Sequence, residues 1–414
     1  MRAVFLSRFA KSAHLTSGVV VALGFLLAGC ATEEPPPPLV IAPPIAPVGP
    51  KKIALLVPLT GPNAGLGQAL QRAASLALGG ADGPSLDVRD TGGDPLRAAN
   101  AARDAIIAGD PLILGPLTAG ETAAVAGAAG GVPVLAFTSD PTAASPGVWT
   151  MGLTPTQQMQ RLAAALRDDG RSKLAAVLPP GAFGDALAQG LTDAAADAGL
   201  APPVIRRSTG GADGFDEAVR DVANADQRHQ VVANRLAALK TMSDDASRAS
   251  AAQEAAEPPG PPPFDALLIA EAGDTLDAAL QSLPGYEITM PAVRLLGPAM
   301  WAGQAGVHAR LRGAWYARPD PAPHHLFVSA FIAKFGATPP PIASLAFDAG
   351  AIARVLAHEG DISAVALTRA EGFSGVDGPM VLLGDGHVRR ALAVFEASPG
   401  GDRVVSPAPD TAAR

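Results

Sequence analysis

The chain has 414 residues, enough for two ordinary domains, and is 48% apolar but only 4% aromatic. A formal net charge of −8 removes any electrostatic case for nucleic-acid binding, and a single cysteine excludes an internal disulfide. This composition suits an alanine-packed, helix-rich α/β protein better than an aromatic-cored sandwich.

Residues 1–29 read as a secretory signal. Arg2, Arg8 and Lys11 form a basic start, and GVVVALGFLL (18–27) is apolar but too short to span a bilayer. It runs into LAGC (27–30), which is similar to the bacterial lipobox; that likeness implies cleavage before Cys30 and a diacylglycerol on its sulfur. Removing residues 1–29 takes away three positive charges and no acidic ones, moving the net charge from −8 to −11. Ala31 rather than aspartate follows the cysteine, which under enterobacterial-type sorting leans toward the outer membrane. Residues 30–50, with EEPPPP and APPIAPVGP, predict an extended proline-rich tether.

From residue 51 the pattern alternates. Strand-like runs at 53–59, 85–91, 111–117, 132–138 and 148–154 are separated by helix-like runs at 65–79, 95–108 and 119–130. Short apolar strands spaced by helices predict a parallel, doubly wound sheet. The rhythm then restarts with helices at 156–169 and 184–199 and strands at 173–179, 202–208, 265–271 and 293–299. Residues 214–263 interrupt it. This long polar stretch keeps Val219, Val222, Val232, Leu236, Leu239 and Met242 at roughly helical spacing, and EPPGPPP closes it. A helix or helical hairpin inserted into the second α/β unit is expected there. The remainder predicts a strand at 311–317, helices at 324–336 and 341–357, and a hairpin at 378–397 turning at Gly384-Asp385-Gly386.

The opening stretch KKIALLVPLTGPNAGLGQAL (51–70) invites a nucleotide-loop reading, because a strand, a glycine turn and a helix follow one another. The residues argue against it. Leu70 stands where a third fingerprint glycine belongs, and no G-K-[ST] follows. No G-x-S-x-G occurs, and the adjacent His324 and His325 lack H-E-x-x-H spacing. No motif makes a positive case for an enzyme, a metal site or a cofactor.

The same stretch resembles the first β-α unit of type I periplasmic binding proteins of the branched-chain amino acid group. The likeness continues through DVRDTGGDPLRAANAARDAI (87–106), LILGPLTAGETAAVAGAAGGVPVLAFTSD (112–140), PPPIASLAFDAGAIARVL (339–356) and GFSGVDGPMVLLGDGHVRRALAVFE (372–396). It implies two doubly wound parallel-sheet lobes joined by three crossings, with a ligand cleft between them. Lobe 1 would comprise 51–152 and 315–368; lobe 2 would comprise 153–314 and 369–405, with the helical insertion at 214–263. Strand ends facing the cleft would present Thr118, Ala119, Thr138 and Ser139 from lobe 1, and Phe183 and Glu271 from lobe 2. Amino acid binders usually carry a serine-rich turn where this chain has LTAGET, and often a tyrosine where Phe183 stands. Anchor, tether, altered pocket and inserted arm together resemble the penicillin-binding-protein activator lipoproteins, which stimulate peptidoglycan synthases from the outer membrane. The expected role is therefore a non-enzymatic, periplasm-facing envelope lipoprotein with a penicillin-binding protein as partner. The alternative is an ABC-transporter solute-binding protein for an amino acid or related small ligand.

Overall fold

The computed structural model describes residues 52–79, 83–241, 244–256, 259–304 and 309–412. The expected signal peptide, Cys30 and tether lie outside these residues, as does Met242. Among the described residues no helix is long and apolar enough to cross a membrane.

The first lobe begins with β1 (Lys52–Val57), α1 (Ala64–Leu78), β2 (Ser85–Asp90), α2 (Pro95–Ile107), β3 (Ile113–Leu114), α3 (Ala119–Ala128), β4 (Val134–Ala136) and β5 (Val148–Thr150). All five strands are parallel in the order β2-β1-β3-β4-β5. β1 is buried on both faces, so its apolar run is continuous rather than alternating. Ile53, Leu55 and Val57 face one core, whereas Ala54 and Leu56 face another built on Ala98, Ala101, Ala102 and Ala105 of α2. That alanine stripe is what the composition foreshadowed: small side chains let a helix sit close on a sheet.

The second lobe holds α4 (Pro155–Asp168), β6 (Leu174–Leu178), α5 (Ala182–Asp197), β7 (Val204–Arg207), α6 (Gly211–Val222), α7 (Ala225–Lys240), α8 (Asp245–Ala256), β8 (Ala266–Ile269), α9 (Gly273–Ser282), β9 (Arg294–Gly297) and β10 (Trp315–Arg318). The chain then forms α10 (Pro321–Phe335), α11 (Ala343–Glu359), α12 (Ala364–Leu367), the strands β11 (Phe373–Gly375), β12 (Gly378–Leu382) and β13 (Val388–Arg390), and finally β14 (Ala393–Glu396) and β15 (Arg403–Ser406). The second sheet runs β15-β14-β10-β9-β8-β6-β7, repeating the first lobe's order in its parallel part and adding two antiparallel strands at one edge.

Three boundaries differ from the sequence expectation. Residues 214–222 belong to α6, whose Phe215, Val219 and Val222 are buried in the second core, so the insertion proper is the α7–α8 pair. The Val219–Val222 spacing continued into α7 without a glycine or proline to mark the break; the chain turns at Asn224, which adopts a left-handed conformation (φ 49°). Trp315, Tyr316 and Ala317 sit in the second sheet, so the return to lobe 1 follows β10 rather than preceding it. The hairpin of β12 and β13 forms as expected, but Phe373, Met380, Leu382 and Val388 pack into the first lobe's core; only β14 and β15 join lobe 2. Apolar content cannot separate these cases, because a strand reads alike whichever sheet receives it.

Arg228 fastens the α7–α8 arm to lobe 2. It pairs with Glu287 at 2.7 Å and donates to the carbonyls of Ala223, Gly260 and Tyr286. Beyond this base the arm is mostly exposed.

The lobes meet where 151–154, 319–320 and 391–392 run between the two sheets. Arg390, at the end of β13, places its guanidinium 2.9 Å from Asp348 of α11, and both side chains are essentially inaccessible. Asp348 also accepts from the Val376 N–H at 2.7 Å. Beside this pair, Asp377 accepts from Ser344 at 2.6 Å and meets His324 Nδ1 of α10 at 2.8 Å. Within lobe 1 the Trp149 indole donates to the Leu383 carbonyl at 2.7 Å, and across the first crossing Gln157 of α4 donates to the Val388 carbonyl.

Asp348→Ala leaves a buried guanidinium unpaired and is expected to cost about 3–5 kcal/mol, whereas joint replacement of Asp348 and Arg390 by apolar residues of similar volume costs much less; chemical denaturation of both variants checks this. The hydrogen bond and charge of Asp377 raise the His324 pKa above 6.5. Stability from protonated His324 is therefore complete below pH 6.5 and lost as pH rises through the folded value. Denaturation midpoints across that range should fall for the parent chain and fall less for His324→Gln.

Candidate functional site

In open α/β sheets ligands bind beyond the carboxyl ends of the strands, where the strand order switches. In lobe 1 that point lies between β1 and β3, and in lobe 2 between β6 and β8.

The turn after β1 has a clear local logic. Gly61 adopts φ +80°, which favours glycine. A Cβ on Gly67 would lie 1.9 Å from the Pro58 carbonyl oxygen, so that glycine permits α1 to pack against the end of β1. Gly65 has no such neighbour. Two of the turn's N–H groups are engaged by Asp90, whose Oδ1 accepts from Leu59 N at 2.7 Å and Thr60 N at 3.2 Å, and also from Gly92 N of the turn after β2 at 2.8 Å. Its Oδ2 takes the Thr60 hydroxyl and the Arg97 guanidinium, each at 2.7 Å. Burial pushes Asp90 up, but the hydrogen bonds of Thr60, Leu59 and Gly92 outweigh it and hold the carboxyl well below its usual range.

The turn after β3 is closed in the same way. Thr118 caps α3: its hydroxyl accepts from Glu121 N at 3.2 Å and donates to Glu121 Oε2 at 2.8 Å. The same carboxylate oxygen accepts from Thr118 N at 3.1 Å, and Glu121 is fully buried. An internal carboxylate thus sits at a helix N-terminus, the place where a ligand's carboxylate would otherwise be favoured. Ala119 follows with no hydroxyl to offer.

The open space lies further along, where a cleft of about 910 Å³ separates the turn after β4 from the starts of α4 and α5. Thr138, Ser139 and Asp140 line its lobe 1 wall, and Phe183, Asp185, Gln189 and Asp193 its lobe 2 wall. Thr156 and His387 also line it. Of the expected site residues, Thr138, Ser139 and Phe183 come together here. Thr138 is buried and its hydroxyl accepts from Asp140 N at 3.1 Å, whereas Ser139 and Phe183 are exposed. Thr118, Ala119 and Glu271 are not in this lining. The Glu271 carbonyl instead accepts from the Trp301 indole at 3.1 Å, and burial pushes the Glu271 carboxyl up, with Ser208 opposing.

Asp185, Gln189 and Asp193 were not singled out from sequence. Ala182, Ala186, Gln189 and Asp193 recur at three- and four-residue spacing and so share one face of α5. That stripe is polar and small, indistinguishable in sequence from a solvated face. Among the described residues no group of three or more His, Cys, Asp or Glu is placed to hold a metal ion.

The periplasmic binding protein family model matches residues 50–402. A search of curated proteins finds no match. Among solved structures, a Rhodospirillum rubrum protein assigned as a branched-chain amino acid ABC transporter aligns with a TM-score of 0.65 at 22% identity, covering 86% of this chain and 99% of its own. The C-domain of Haemophilus influenzae LpoA, described as a regulator of PBP1A, aligns with a TM-score of 0.61 at 17% identity, covering 86% of this chain and 100% of its own. Full-length LpoA from the same organism gives 0.58 at 17% identity, with 86% of this chain covering 59% of that one. At such identities the structural likeness speaks to the fold, which is that of type I binding proteins. With its family model matched across both lobes, the chain belongs to the periplasmic binding protein family.

Proposed function

We propose that this protein is a non-enzymatic, periplasm-facing lipoprotein, anchored through Cys30 in the outer membrane, that acts through a penicillin-binding protein in peptidoglycan synthesis. The observation that carries this reading is the filling of both lobe 1 turns by the chain's own carboxylates. Asp90 engages the N–H groups of Leu59 and Thr60 and the Thr60 hydroxyl, and Glu121 engages the N–H and hydroxyl of Thr118, which withdraws these donors from the α-carboxylate of an amino acid. A fold whose amino acid site is blocked from within retains its surface, and the α7–α8 arm is the part of that surface that departs from the doubly wound pattern. The similarity to the LpoA C-domain fits the same role.

The solute-binding reading is favoured by one observation, the cleft itself. A volume of about 910 Å³ admits a small molecule, and Thr138, Ser139 and Phe183 would then contact it. Thr118, Ala119 and Glu271 would act at most from outside that lining.

Two measurements separate the readings. Replacing 225–256 by a short glycine-serine link spares α6 and its buried Phe215; capture of the penicillin-binding partner should be lost while the thermal transition of the lobes persists. No capture by the parent chain, or undiminished capture after the replacement, counts against the arm-mediated role. Free amino acids should leave the melting temperature unchanged. A true ligand at a hundredfold over Kd would stabilise by about 2.7 kcal/mol, so a clear shift with leucine or a similar amino acid would favour the solute-binding role.

A further inference from the structure

Asp110 is a polar side chain that the fold buries without a donor. It is 2% exposed, and among the described residues neither of its carboxyl oxygens receives a hydrogen bond. An ionised carboxylate so placed loses its hydration and gains nothing in return. Its position adds to the cost. α2 ends at Ile107, and the Asp110 N–H donates to the Ala105 carbonyl at 3.1 Å, so the side chain stands at the negative end of that helix.

The group it faces is also acidic. Ala54 of β1 lies opposite Asp87 of β2, and its N–H donates to the Leu112 carbonyl at 3.0 Å, so Asp87 and the turn leading into β3 flank one small residue. The two carboxyl groups lie within hydrogen-bond reach, and a bond between them requires a proton on one. Asp87 is the partner that stays ionised. Burial pushes it up, but Arg89, at 3.1 Å through Nε and 2.5 Å through Nη2, outweighs burial. No cation bonds Asp110, and burial, followed by Asp87, pushes it up to about 6. The other charged groups nearby are Lys52 of β1, which opposes that rise, and Asp104 of α2, which meets Arg89 at 3.8 Å. Two cations beside the pair would repel a bound metal ion, whereas a single proton between the carboxyls satisfies both.

We propose that Asp87 and Asp110 share one proton, and that this proton is an acid-dependent fastener between edge strand β2 and the turn after α2. With it, Asp110 donates to Asp87 and both groups are satisfied. Without it, two carboxylates face each other near the amino ends of β2 and β3. The folded chain holds this proton more tightly than the unfolded chain does, so its contribution to stability is complete below pH 3.8 and is lost as pH rises through about 6. This does not rest on the partner role: neither residue lines the interlobe cleft or belongs to the α7–α8 arm.

Carbon-13 NMR of the full chain, labelled at the aspartate carboxyl carbons, tests it. The resonance missing from Asp110→Asn, and equally from Asp110→Ser, should titrate about two pH units above an ordinary aspartate, and lower than that in Asp87→Asn. Urea denaturation reads the consequence. The asparagine amide can donate to Asp87 at every pH, so Asp110→Asn should match the parent near about pH 4 and exceed it at about pH 7.5. His324 and Asp348 titrate in both chains and cancel in the difference. Asp104→Asn, at a carboxylate side chain 65% exposed, should follow the parent throughout. A resonance that titrates at or below about pH 4, or one unmoved by Asp87→Asn, overturns the proposal. So does an Asp110→Asn chain less stable than the parent at about pH 7.5. Stabilisation of the parent, but not of Asp110→Asn, by calcium or magnesium chloride would give the pair to a metal ion and overturn it as well.

Discussion

The Asp348–Arg390 pair is the constraint around which the two lobes are joined. A guanidinium with almost no exposure is tolerable only with a carboxylate at hydrogen-bond distance, and α11 supplies it at 2.9 Å. This fixes β13 against α11 just before the chain leaves for the second sheet. Burial pushes Asp348 up and Arg390 pulls it down, so the pair's charge state is itself set by packing. Neighbouring Asp377 is held low despite its burial, by His324, Arg390 and Ser344. Two carboxylates in one apolar setting are thus each given a basic partner, Arg390 or His324, and the crossing gains a defined geometry instead of a sliding apolar contact.

The same device, an internal carboxylate bound by internal donors, recurs at the lobe 1 strand ends, with a different consequence. Asp90 gathers the turn after β1, and Glu121 gathers the turn after β3. Each stabilises its turn by satisfying N–H groups that the helix or strand leaves open. Each also removes those donors from any ligand. Stability of the scaffold and withdrawal of these donors are here one arrangement, and carboxylates line both walls of the cleft.

The α7–α8 arm follows another logic. Its exposed helices bury little beyond Ala225 and Ala251, so tertiary packing contributes little along most of their length. Arg228 concentrates the attachment at the base through one ion pair and three carbonyls. A protruding element fixed at one end and solvated elsewhere has a geometry suited to presenting a surface.

Strand–helix alternation was enough to predict a doubly wound sheet and a restart of the pattern, because each signal is local: apolar runs, caps and turn residues act within about ten positions of themselves. The two-lobe arrangement came from the resemblance to type I periplasmic binding proteins. Thr138, Ser139 and Phe183 were named as cleft residues through that resemblance, and the three share one lining. Three things were decided only in the folded chain. Which lobe received β10 and the β11–β13 strands depended on long-range packing that apolar content does not encode. The end of α6 was hidden by a helical spacing that ran on into α7. Thr118, which looked free to meet a ligand, spends its hydroxyl on a glutamate three residues along; the capping pattern was present in LTAGET, but only burial shows that the Glu121 carboxylate stays inside. Local propensity determines the elements, whereas the fate of a polar group depends on which partners packing leaves within reach.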